Sequence, residues 1–361
     1  MKLLHGDCIE VMRTLPDASV DSVVTDPPYE LGFMGKSWDS TGIAFNTEVW
    51  KEALRVLKPG GYLLAFSGSR TYHRMAVAIE DAGFEIRDQI MWIYGSGFPK
   101  SHDVSKAIDK SAGAEREILG VARLQPDIRG NNYAQGQREY GGDTVPQYIT
   151  KPATSEAEQW QGWGTALKPA HEPIVMARKP LIGTVAQNVL EYGTGAINID
   201  ASRVSTSDSF GGGAKGTSGF AAGYEHDGWT AGSDLGRWPA NVIHDGSDEV
   251  VELFPQSKGG AYPAIRGKSD IGAFAQGGSH KDKPNQARVM GDDGSAARFF
   301  YCAKANKRDR NEGLEELQNH HPTVKPTDLM RYLVRLVTQP NGIVLDPFMG
   351  SGSTGKACMY E

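Results

Sequence analysis

The residues best suited to chemistry form two short motifs near opposite ends of the chain. The first, Asp26-Pro27-Pro28-Tyr29, follows a strand predicted at 19–25 and forms a loop at its carboxyl end, because two consecutive prolines end a strand or a helix. The carboxylate of Asp26 and the carbonyl of Pro27 can accept both N–H bonds of an exocyclic amine on a nucleobase. That geometry directs the nitrogen lone pair toward an electrophile, while Tyr29 can stack on the base. The alternative interpretation is a proline turn that begins with an acidic residue.

The second motif is a glycine-rich loop that precedes a short C-terminal helix. Its candidate ligand-binding residues are Asp346, Pro347, Phe348, Gly350, Ser351 and Gly352. A strand, a glycine turn and a helix start present backbone N–H groups to an anion or to a polar nucleotide group. A phosphate loop is one interpretation, but it requires Ser or Thr after its lysine to hold magnesium, and Ala357 follows Lys356 here. The other interpretation is a site for a different adenosine-bearing cofactor.

Both motifs resemble those of a known enzyme family. DPPY (26–29) resembles the catalytic motif of amino-methyltransferases that use S-adenosylmethionine (AdoMet), and DPFMGSGST (346–354) resembles the AdoMet-binding motif of bacterial DNA methyltransferases. The catalytic motif comes first, an order that resembles the circularly permuted beta group of DNA amino-methyltransferases. Residues 5–29 and 321–337 resemble that group as well, and parts of the middle resemble variants carried by phages and prophages.

The resemblance implies roles for individual residues in AdoMet binding. Asp7 would lie near the adenine, and Thr323 and Lys325 would close the methionine end. The glycine-rich loop would line the methionyl and ribose part, with the ring of Phe348 against the adenine or the sulfonium. Each assignment has a plainer alternative. Asp7 can be a turn carboxylate at a strand end, Lys325 a solvated lysine before a helix, and Phe348 a core residue.

Alternating strands and helices must position these motifs. Apolar periodicity predicts strands at 19–25, 62–68, 85–95, 172–180, 298–305 and 343–346, and helices at 46–57, 76–82 and 327–338. The alternation predicts an α/β fold with a mostly parallel sheet. The resemblance implies a Rossmann-like AdoMet-dependent methyltransferase core of seven strands with permuted motif order. Its ribose-binding acidic residue belongs on a strand after the helix that follows the glycine-rich loop, so the C-terminal edge of the core is expected to be truncated.

The middle of the chain differs in composition from both ends. Of the 44 glycines, 30 lie between Ser111 and His320, which predicts loop-rich structure there. The expected division is a catalytic part of the core at 1–110, a loop-rich insertion at 111–170, a core strand at 171–180, a target-recognition region at 181–297 and an AdoMet-binding part at 298–361. Recurring aromatic residues favour an irregular recognition module, although 205–236 alone also fits a disordered segment.

DNA contact requires a basic face, which the formal net charge of −6 does not supply but which an acidic protein can carry locally. The densest basic run holds the candidates for phosphate contact, Lys304, Lys307, Arg308 and Arg310. A solvated loop balanced by nearby acidic residues explains the same run equally well. Trp92, Tyr94 and Phe98 are candidates for lining the pocket of a flipped base, with core packing as the alternative for Trp92.

Composition argues against several other classes of protein. The three cysteines are far apart and form no CxxC pair, so neither a disulfide framework nor a metal site is expected. The expected location is a reducing cytoplasm, and the family resemblance implies that of a bacterial cell. Asp7 and Glu10 interrupt the N-terminus early, which argues against a signal peptide. No apolar run is long enough to cross a membrane. The oligomeric state stays open, with a homodimer as one option.

These observations predict a site-specific DNA methyltransferase of a restriction–modification type. It would transfer a methyl group from AdoMet to the N6 amino group of adenine in double-stranded DNA, after flipping the base out of the helix. Relatives that act on cytosine N4 more often have Ser at the position of Asp26, so the resemblance favours adenine. Cytosine N4 methylation is the nearest alternative. Methylation of an RNA or protein amide, a catalytically weakened DNA-binding protein and a phosphate-loop NTPase follow in that order.

Overall fold

The structure of the protein is a computed structural model. It describes residues 1–32, 37–97, 101–126, 144–206, 236–257, 294–303, 309, 311–312 and 324–361. The described residues form two compact units. The larger unit holds those of 1–95, 171–312 and 324–361, and the smaller unit holds those of 96–170.

The strands, numbered in chain order, are β1 (Val20–Thr25), β2 (Leu57–Phe66), β3 (Glu85–Ile93), β4 (Ile118–Pro126), β5 (Thr144–Thr150), β6 (His171–Arg178), β7 (Val242–His244), β8 (Gln256–Ser257), β9 (Gly294–Ser295), β10 (Tyr301–Cys302) and β11 (Val344–Leu345). The helices are α1 (Cys8–Arg13), α2 (Thr47–Val56), α3 (Tyr72–Asp81), α4 (Val104–Ser111), α5 (Ser155–Gln159), α6 (Val185–Tyr192), α7 (Asp248–Val251), α8 (Thr327–Val337) and α9 (Ser353–Tyr360). Among the described residues, no helix combines the length and apolar character needed to span a membrane.

A sheet of seven strands forms the centre of the larger unit, in the order β10-β7-β3-β6-β2-β1-β11. β6 runs antiparallel to both of its neighbours, and every other neighbouring pair in this sheet is parallel. The expected mostly parallel sheet of seven strands is therefore confirmed. It has the architecture of a Rossmann-like methyltransferase core.

Helices cover both faces of this sheet. On one face, Trp50 of α2 and Ile79 of α3 pack with Val23 in one apolar cluster. On the other face, Leu333 of α8 packs with Val24 in a second cluster. Consecutive residues of a strand point to opposite faces, and because both faces are covered, β1 is buried along its whole length, including its polar residues Asp21, Ser22 and Thr25.

The two sequence motifs meet because β1 and β11 are parallel neighbours. Val23 pairs with Leu345, so both strands end at the same edge of the sheet. DPPY follows β1 directly and the glycine-rich loop follows β11 directly. The edge formed by the carboxyl ends of parallel strands is where α/β folds place their ligand sites.

Helix α2 agrees closely with the helix predicted at 46–57, whereas strand β2 begins five residues before the strand predicted at 62–68. Asn46 caps α2 by accepting the N–H of Glu48 at 3.0 Å, as its position predicts. The helix then passes into β2 at Leu57 without a loop, and KPGG (58–61) forms the first part of the strand. Gly60 has a φ of 77°. An added Cβ at Gly60 would lie 2.5 Å from the amide nitrogen of Asn188, so both conformation and space require glycine there.

The boundaries of the middle region also differ from the expected ones. The smaller unit begins at Ser96 and includes α4, whereas the composition placed the boundary at residue 111. Inside this unit, Arg116 pairs with the buried Asp109 at 2.6 Å. Residues 242–244, expected within the recognition region, form β7 of the central sheet. Within the described residues 298–303 of the strand expected at 298–305, only β10 is a strand, because a 3-10 turn at Ala296–Phe299, capped by Ser295, precedes it.

Candidate active site

A hydrogen bond joins the two motifs at the edge of the sheet. The hydroxyl of Thr25, the last residue of β1, donates to Oδ1 of Asp346 at 2.6 Å. The same carboxylate oxygen accepts the backbone N–H of Phe348 at 3.1 Å. Burial raises the pKa of Asp346, and the hydrogen bonds from Thr25 and Thr354 oppose that rise. Asp346 therefore ties the start of the glycine-rich loop to the strand that carries DPPY.

Lys325 brings a positive charge to DPPY. Its Nζ lies 2.8 Å from Oδ2 of Asp26 and 3.2 Å from Oε2 of Glu172. It also donates to the hydroxyl oxygen of Tyr29 at 3.0 Å. An ammonium group has three hydrogens, and these three acceptors match that number. The rings of Tyr29 and Phe66 face the same Nζ, with centroids at 5.2 and 4.9 Å.

The environment of Lys325 contradicts the alternative of a solvated lysine before a helix. The residue is only 6% exposed. Burial alone lowers the pKa of Lys325, but the attraction of Asp26 and Glu172 outweighs it and raises the pKa above its ordinary value. Lys325 directly precedes Pro326 at the start of α8, where a helix dipole disfavours a cation, so the carboxylates must account for its position. The predicted contact of Lys325 with a cofactor stays a prediction.

Asp26 presents one carboxylate oxygen to Lys325 and keeps the other unused. Oδ2 holds the ammonium, whereas Oδ1 is buried and has no hydrogen-bond partner among the described residues. A buried acceptor without a donor costs free energy unless a ligand supplies one. Pro27, the next residue, is buried and contributes a carbonyl without an N–H of its own. This arrangement can accept N–H bonds from an amino group.

Glu172 is a site residue that the sequence interpretation missed. It accepts the Tyr29 hydroxyl at 2.8 Å and lies in β6, where it pairs with Trp92 of β3. Burial, Asp26 and Glu172 together raise the pKa of Tyr29 well above its ordinary value. Burial and the nearby Glu172 raise the pKa of Tyr94 to about 12. The available sign was a glutamate at the second position of a strand whose next five residues are apolar and buried.

A second missed residue holds the backbone that follows DPPY. Asp39 is 2% exposed, and its carboxylate accepts the backbone N–H groups of Glu30 at 3.0 Å and Leu31 at 3.2 Å. Glu30 has a φ of 56°, a conformation that residues other than glycine adopt rarely. The two hydrogen bonds stabilise this turn and thereby fix where the DPPY loop ends.

The glycine-rich loop contains two glycines with left-handed backbone conformations. Gly350 and Gly352 have φ values of 50° and 78°, and Gly352 occupies the cap position of α9. An added Cβ at Gly352 would meet no atom within 4 Å, so its surface is open. Ser351 and Ser353 share a hydrogen bond of 2.9 Å between their hydroxyls. Backbone N–H groups at the start of α9 suit a polar nucleotide group.

Two of the remaining predicted cofactor residues, Asp7 and Phe348, have structural roles. Asp7 caps α1, accepting the N–H groups of Ile9 and Glu10, and it follows no strand. The ring of Phe348 is partly buried against the first apolar cluster, 6.3 Å from the ring of Trp50. Pro347 is also partly buried. Thr323 lies outside the described residues. The cofactor contacts of all four stay predictions.

Lys356, which gave the loop its likeness to a phosphate loop, pairs with an acidic side chain. Its Nζ lies 2.6 Å from Oε2 of Glu312. Both side chains are partly exposed. A phosphate-loop lysine must be available to phosphate oxygens, and this one is neutralised instead. The geometry therefore agrees with the preference for another cofactor.

Two sets of predicted nucleic-acid contacts have different outcomes. Trp92 is 9% exposed and belongs to the second apolar cluster, with its ring 5.1 Å from that of Tyr94. Core packing thus accounts for Trp92, although its Nε1 is buried and has no partner among the described residues. Phe98 and the four basic candidates, Lys304, Lys307, Arg308 and Arg310, lie outside the described residues. Among the residues that the structure describes, no group of His, Cys, Asp and Glu is arranged to hold a metal ion.

Comparison with known proteins identifies similar chains. Residues 20–361 match the family model N6_N4_Mtase, described as DNA methylase. YubD of Escherichia coli (strain K12) is 34% identical over 90 residues, which are 24% of this chain and 39% of that protein. Type II methyltransferase M.HpaI of Haemophilus parainfluenzae is 30% identical over 117 residues, 30% of this chain and 36% of that protein. The chain thus matches less than two fifths of the length of either relative.

Among solved structures, PvuII DNA methyltransferase (cytosine-N4-specific) is similar over 99% of this chain and 77% of that one. The TM-score is 0.42 and the identity 14%. The complex of M1.HpyAVI with SAM is similar over 99% of this chain and 88% of that one, with a TM-score of 0.36 and 16% identity.

Proposed function

The chain belongs to the DNA methylase family N6_N4_Mtase, and on that premise we propose that it transfers a methyl group from AdoMet to the N6 amino group of adenine in double-stranded DNA. The observation that carries this proposal is the state of Asp26. One of its carboxylate oxygens is held by Lys325, and the other is buried with no partner among the described residues, in a loop that also offers the Pro27 carbonyl. An exocyclic amine supplies the two N–H donors that these acceptors lack.

The residues act by orientation and electrostatics. AdoMet, when bound, supplies an electrophilic methyl group on a sulfonium. Asp26 and the Pro27 carbonyl hold the amine so that its lone pair points away from the ring plane and toward that methyl carbon. As the new C–N bond would form and the methyl–sulfur bond would break, the sulfur would leave as a neutral thioether, and the nitrogen would gain positive charge that the Asp26 carboxylate stabilises. The nitrogen would then pass one of its original protons to the Asp26 carboxylate and from there to solvent, which leaves a neutral N-methylated base.

The cofactor site that we propose is the glycine-rich loop. Its open surface at Gly352 and the start of α9, where no side chain among the described residues caps the helix, support this assignment. Asp346, held by Thr25, would fix the loop relative to DPPY. Thr323, Asp7 and Phe348 are further candidates for contact with AdoMet, as the family resemblance implies.

Adenine is proposed as the target because the first residue of the catalytic motif is Asp26, where relatives that act on cytosine N4 more often have Ser. A paired base cannot reach such a loop, so the base must flip out of the duplex. The Type II methyltransferases among the relatives support a sequence-specific enzyme of a restriction–modification type. Such an enzyme would act in the bacterial cytoplasm, where the DNA lies.

The test is a transfer assay with labelled AdoMet and parallel DNA, RNA and protein substrates. Mass spectrometry of the digested products identifies the methylated atom. We expect N6-methyladenine in DNA, and its loss on Asp26→Ala with AdoMet binding retained. Asp81→Ala, an exposed carboxylate at the end of α3, is the matched control and should transfer normally.

Other outcomes of this assay separate the alternatives. Detection of N4-methylcytosine would show that the target is the N4 amino group of cytosine rather than the N6 amino group of adenine. Label in RNA or protein alone would change the substrate class. AdoMet binding without transfer to any substrate would indicate a catalytically weakened DNA-binding protein.

A further inference from the structure

We propose that Glu172 is a positioning residue of methyl transfer, which keeps the acceptor oxygen of Asp26 available by engaging Lys325 and the Tyr29 hydroxyl. This inference rests on the proposed function. It assigns a role to a residue in β6, a strand that carries neither of the two motifs.

The first step of the argument is the hydrogen-bond geometry. Oε2 of Glu172 accepts from the Tyr29 hydroxyl at 2.8 Å and lies 3.2 Å from Nζ of Lys325. Lys325 reaches Asp26 at 2.8 Å and Tyr29 at 3.0 Å. Glu172 therefore touches the two groups that surround Asp26. We call these four residues, Asp26, Tyr29, Glu172 and Lys325, the carboxylate–lysine cluster.

The second step concerns the hydroxyl proton of Tyr29. The Nζ of Lys325 lies 3.0 Å from the Tyr29 hydroxyl oxygen and 2.8 Å from Oδ2 of Asp26, so Lys325 holds the phenol and the Asp26 carboxylate beside the same atom. If Glu172 did not accept the hydroxyl proton, the Asp26 carboxylate would be the other acceptor in this cluster. The oxygen meant for the substrate amine would then be occupied. Glu172 directs the hydroxyl away, which explains how Oδ1 of Asp26 stays without a partner.

The third step concerns charge. Lys325 is buried between two carboxylates, so Asp26, Glu172 and Lys325 together carry one excess negative charge. If Glu172 were neutral, Lys325 would cancel Asp26 completely. With Glu172 ionised, the cluster stays attractive to the positive charge that reaches the amine during transfer. Removing Glu172 therefore weakens transition-state stabilisation as well as orientation.

The experiment measures single-turnover methyl transfer and AdoMet affinity separately. For Glu172→Ala, we expect the transfer rate constant to fall about 100-fold, the effect of a misplacement of roughly 1 Å, while AdoMet affinity stays at the wild-type value. Glu172→Gln retains an acceptor for the Tyr29 hydroxyl but has no charge. Its transfer rate constant should therefore lie between those of the wild type and of Glu172→Ala. The matched control is Glu85→Ala, which removes the partner of Arg178 at the opposite end of β6.

A double variant distinguishes positioning from a merely structural role. In the Glu172→Ala background, the Tyr29 hydroxyl competes with the substrate amine for the acceptor oxygen of Asp26. Adding Tyr29→Phe removes that hydroxyl and should therefore not slow transfer further. If Tyr29→Phe lowers the transfer rate in the Glu172→Ala background by the same factor as it does in the wild type, the proposal is overturned. A wild-type rate in Glu172→Ala, or a loss of AdoMet affinity that matches the loss of rate, would overturn it as well.

Two remaining outcomes are also decisive. If Glu172→Ala does not fold, Glu172→Gln carries the test, and a wild-type rate in that variant contradicts the inference. If the wild-type protein transfers no methyl group to DNA, the proposed function fails, but the cluster can still be tested. NMR of labelled lysine should then show a lower pKa for Lys325 in Glu172→Gln, and an unchanged pKa would reject the role of Glu172.

Discussion

Thr25 and Asp346 are 321 positions apart in the chain, yet the hydroxyl of one donates to the carboxylate of the other at 2.6 Å. Thr25 ends β1 and Asp346 follows β11, and these strands are parallel neighbours. The hydrogen bond therefore joins the loop that carries DPPY to the glycine-rich loop. The strand pairing and this hydrogen bond together explain why the two halves of the proposed site lie close together.

Replacing Thr25 by Val keeps the shape of this buried side chain and removes the donor. We expect the free energy of unfolding to fall by about 1.5–3 kcal/mol, as for a hydrogen bond to a charged group, in urea denaturation. AdoMet affinity, measured by calorimetry, should fall as well, because the loop is no longer held. Ser22→Ala is the control, since it removes the buried Ser22–Thr338 hydrogen bond of 2.7 Å from the same strand. Equal AdoMet affinities for wild type and Thr25→Val would contradict this prediction.

Asp346 should make stability depend on pH in an unusual direction for a carboxylate. Its pKa in the folded protein is raised above the ordinary value of 3.8, mainly by burial. The folded state then binds the proton more tightly than the unfolded state, so stability decreases as pH rises from the ordinary toward the raised pKa. Asp346→Asn removes this dependence. The free energy of unfolding of the variant relative to wild type should therefore rise through that pH range, and a constant difference would refute the assignment.

Asp39 should support catalysis from outside the motif. Asp39→Ala leaves the N–H groups of Glu30 and Leu31 without their acceptor. We expect the single-turnover rate to fall about 100-fold through displacement of the DPPY loop, with AdoMet affinity unchanged. Asp39→Asn retains one acceptor oxygen and should lose less. The exposed Asp81→Asn serves as the control, and a wild-type rate for Asp39→Ala would show that the loop keeps its position without these bonds.

Lys356 should be dispensable for any nucleotide chemistry. The Nζ of Lys356 is buried although both side chains of its ion pair with Glu312 are partly exposed, so Lys356→Ala should lower the free energy of unfolding by more than the loss of a surface pair would. Methyl transfer should continue, and neither wild type nor variant should hydrolyse ATP. Lys325→Ala provides the contrast, because it removes the counter-charge of Asp26 and Glu172 and should abolish transfer. ATP hydrolysis that depends on Lys356 would overturn the choice of cofactor.

Local features of the chain were predictable because they depend on neighbouring residues. Two prolines after the strand predicted at 19–25 made DPPY a loop, and the apolar stripe of residues 327–338 marked α8, whose stripe is buried. The start of α9 at Ser353 followed from the glycine turn before it. The boundary of the smaller unit and the strand β7 were not predicted, because a three-residue strand has too little periodicity to stand out.

The sequence by itself determined the two motifs, their order and the α/β alternation that carries them. The tertiary structure decided which side chains meet at Asp26. Lys325 was expected at a cofactor or in solvent, and Glu172 was not expected at all, because nothing in a short window of sequence records which residues from β6 and the start of α8 converge on β1. Their convergence follows from strand order and helix packing, and burial then makes the charge of each depend on the others.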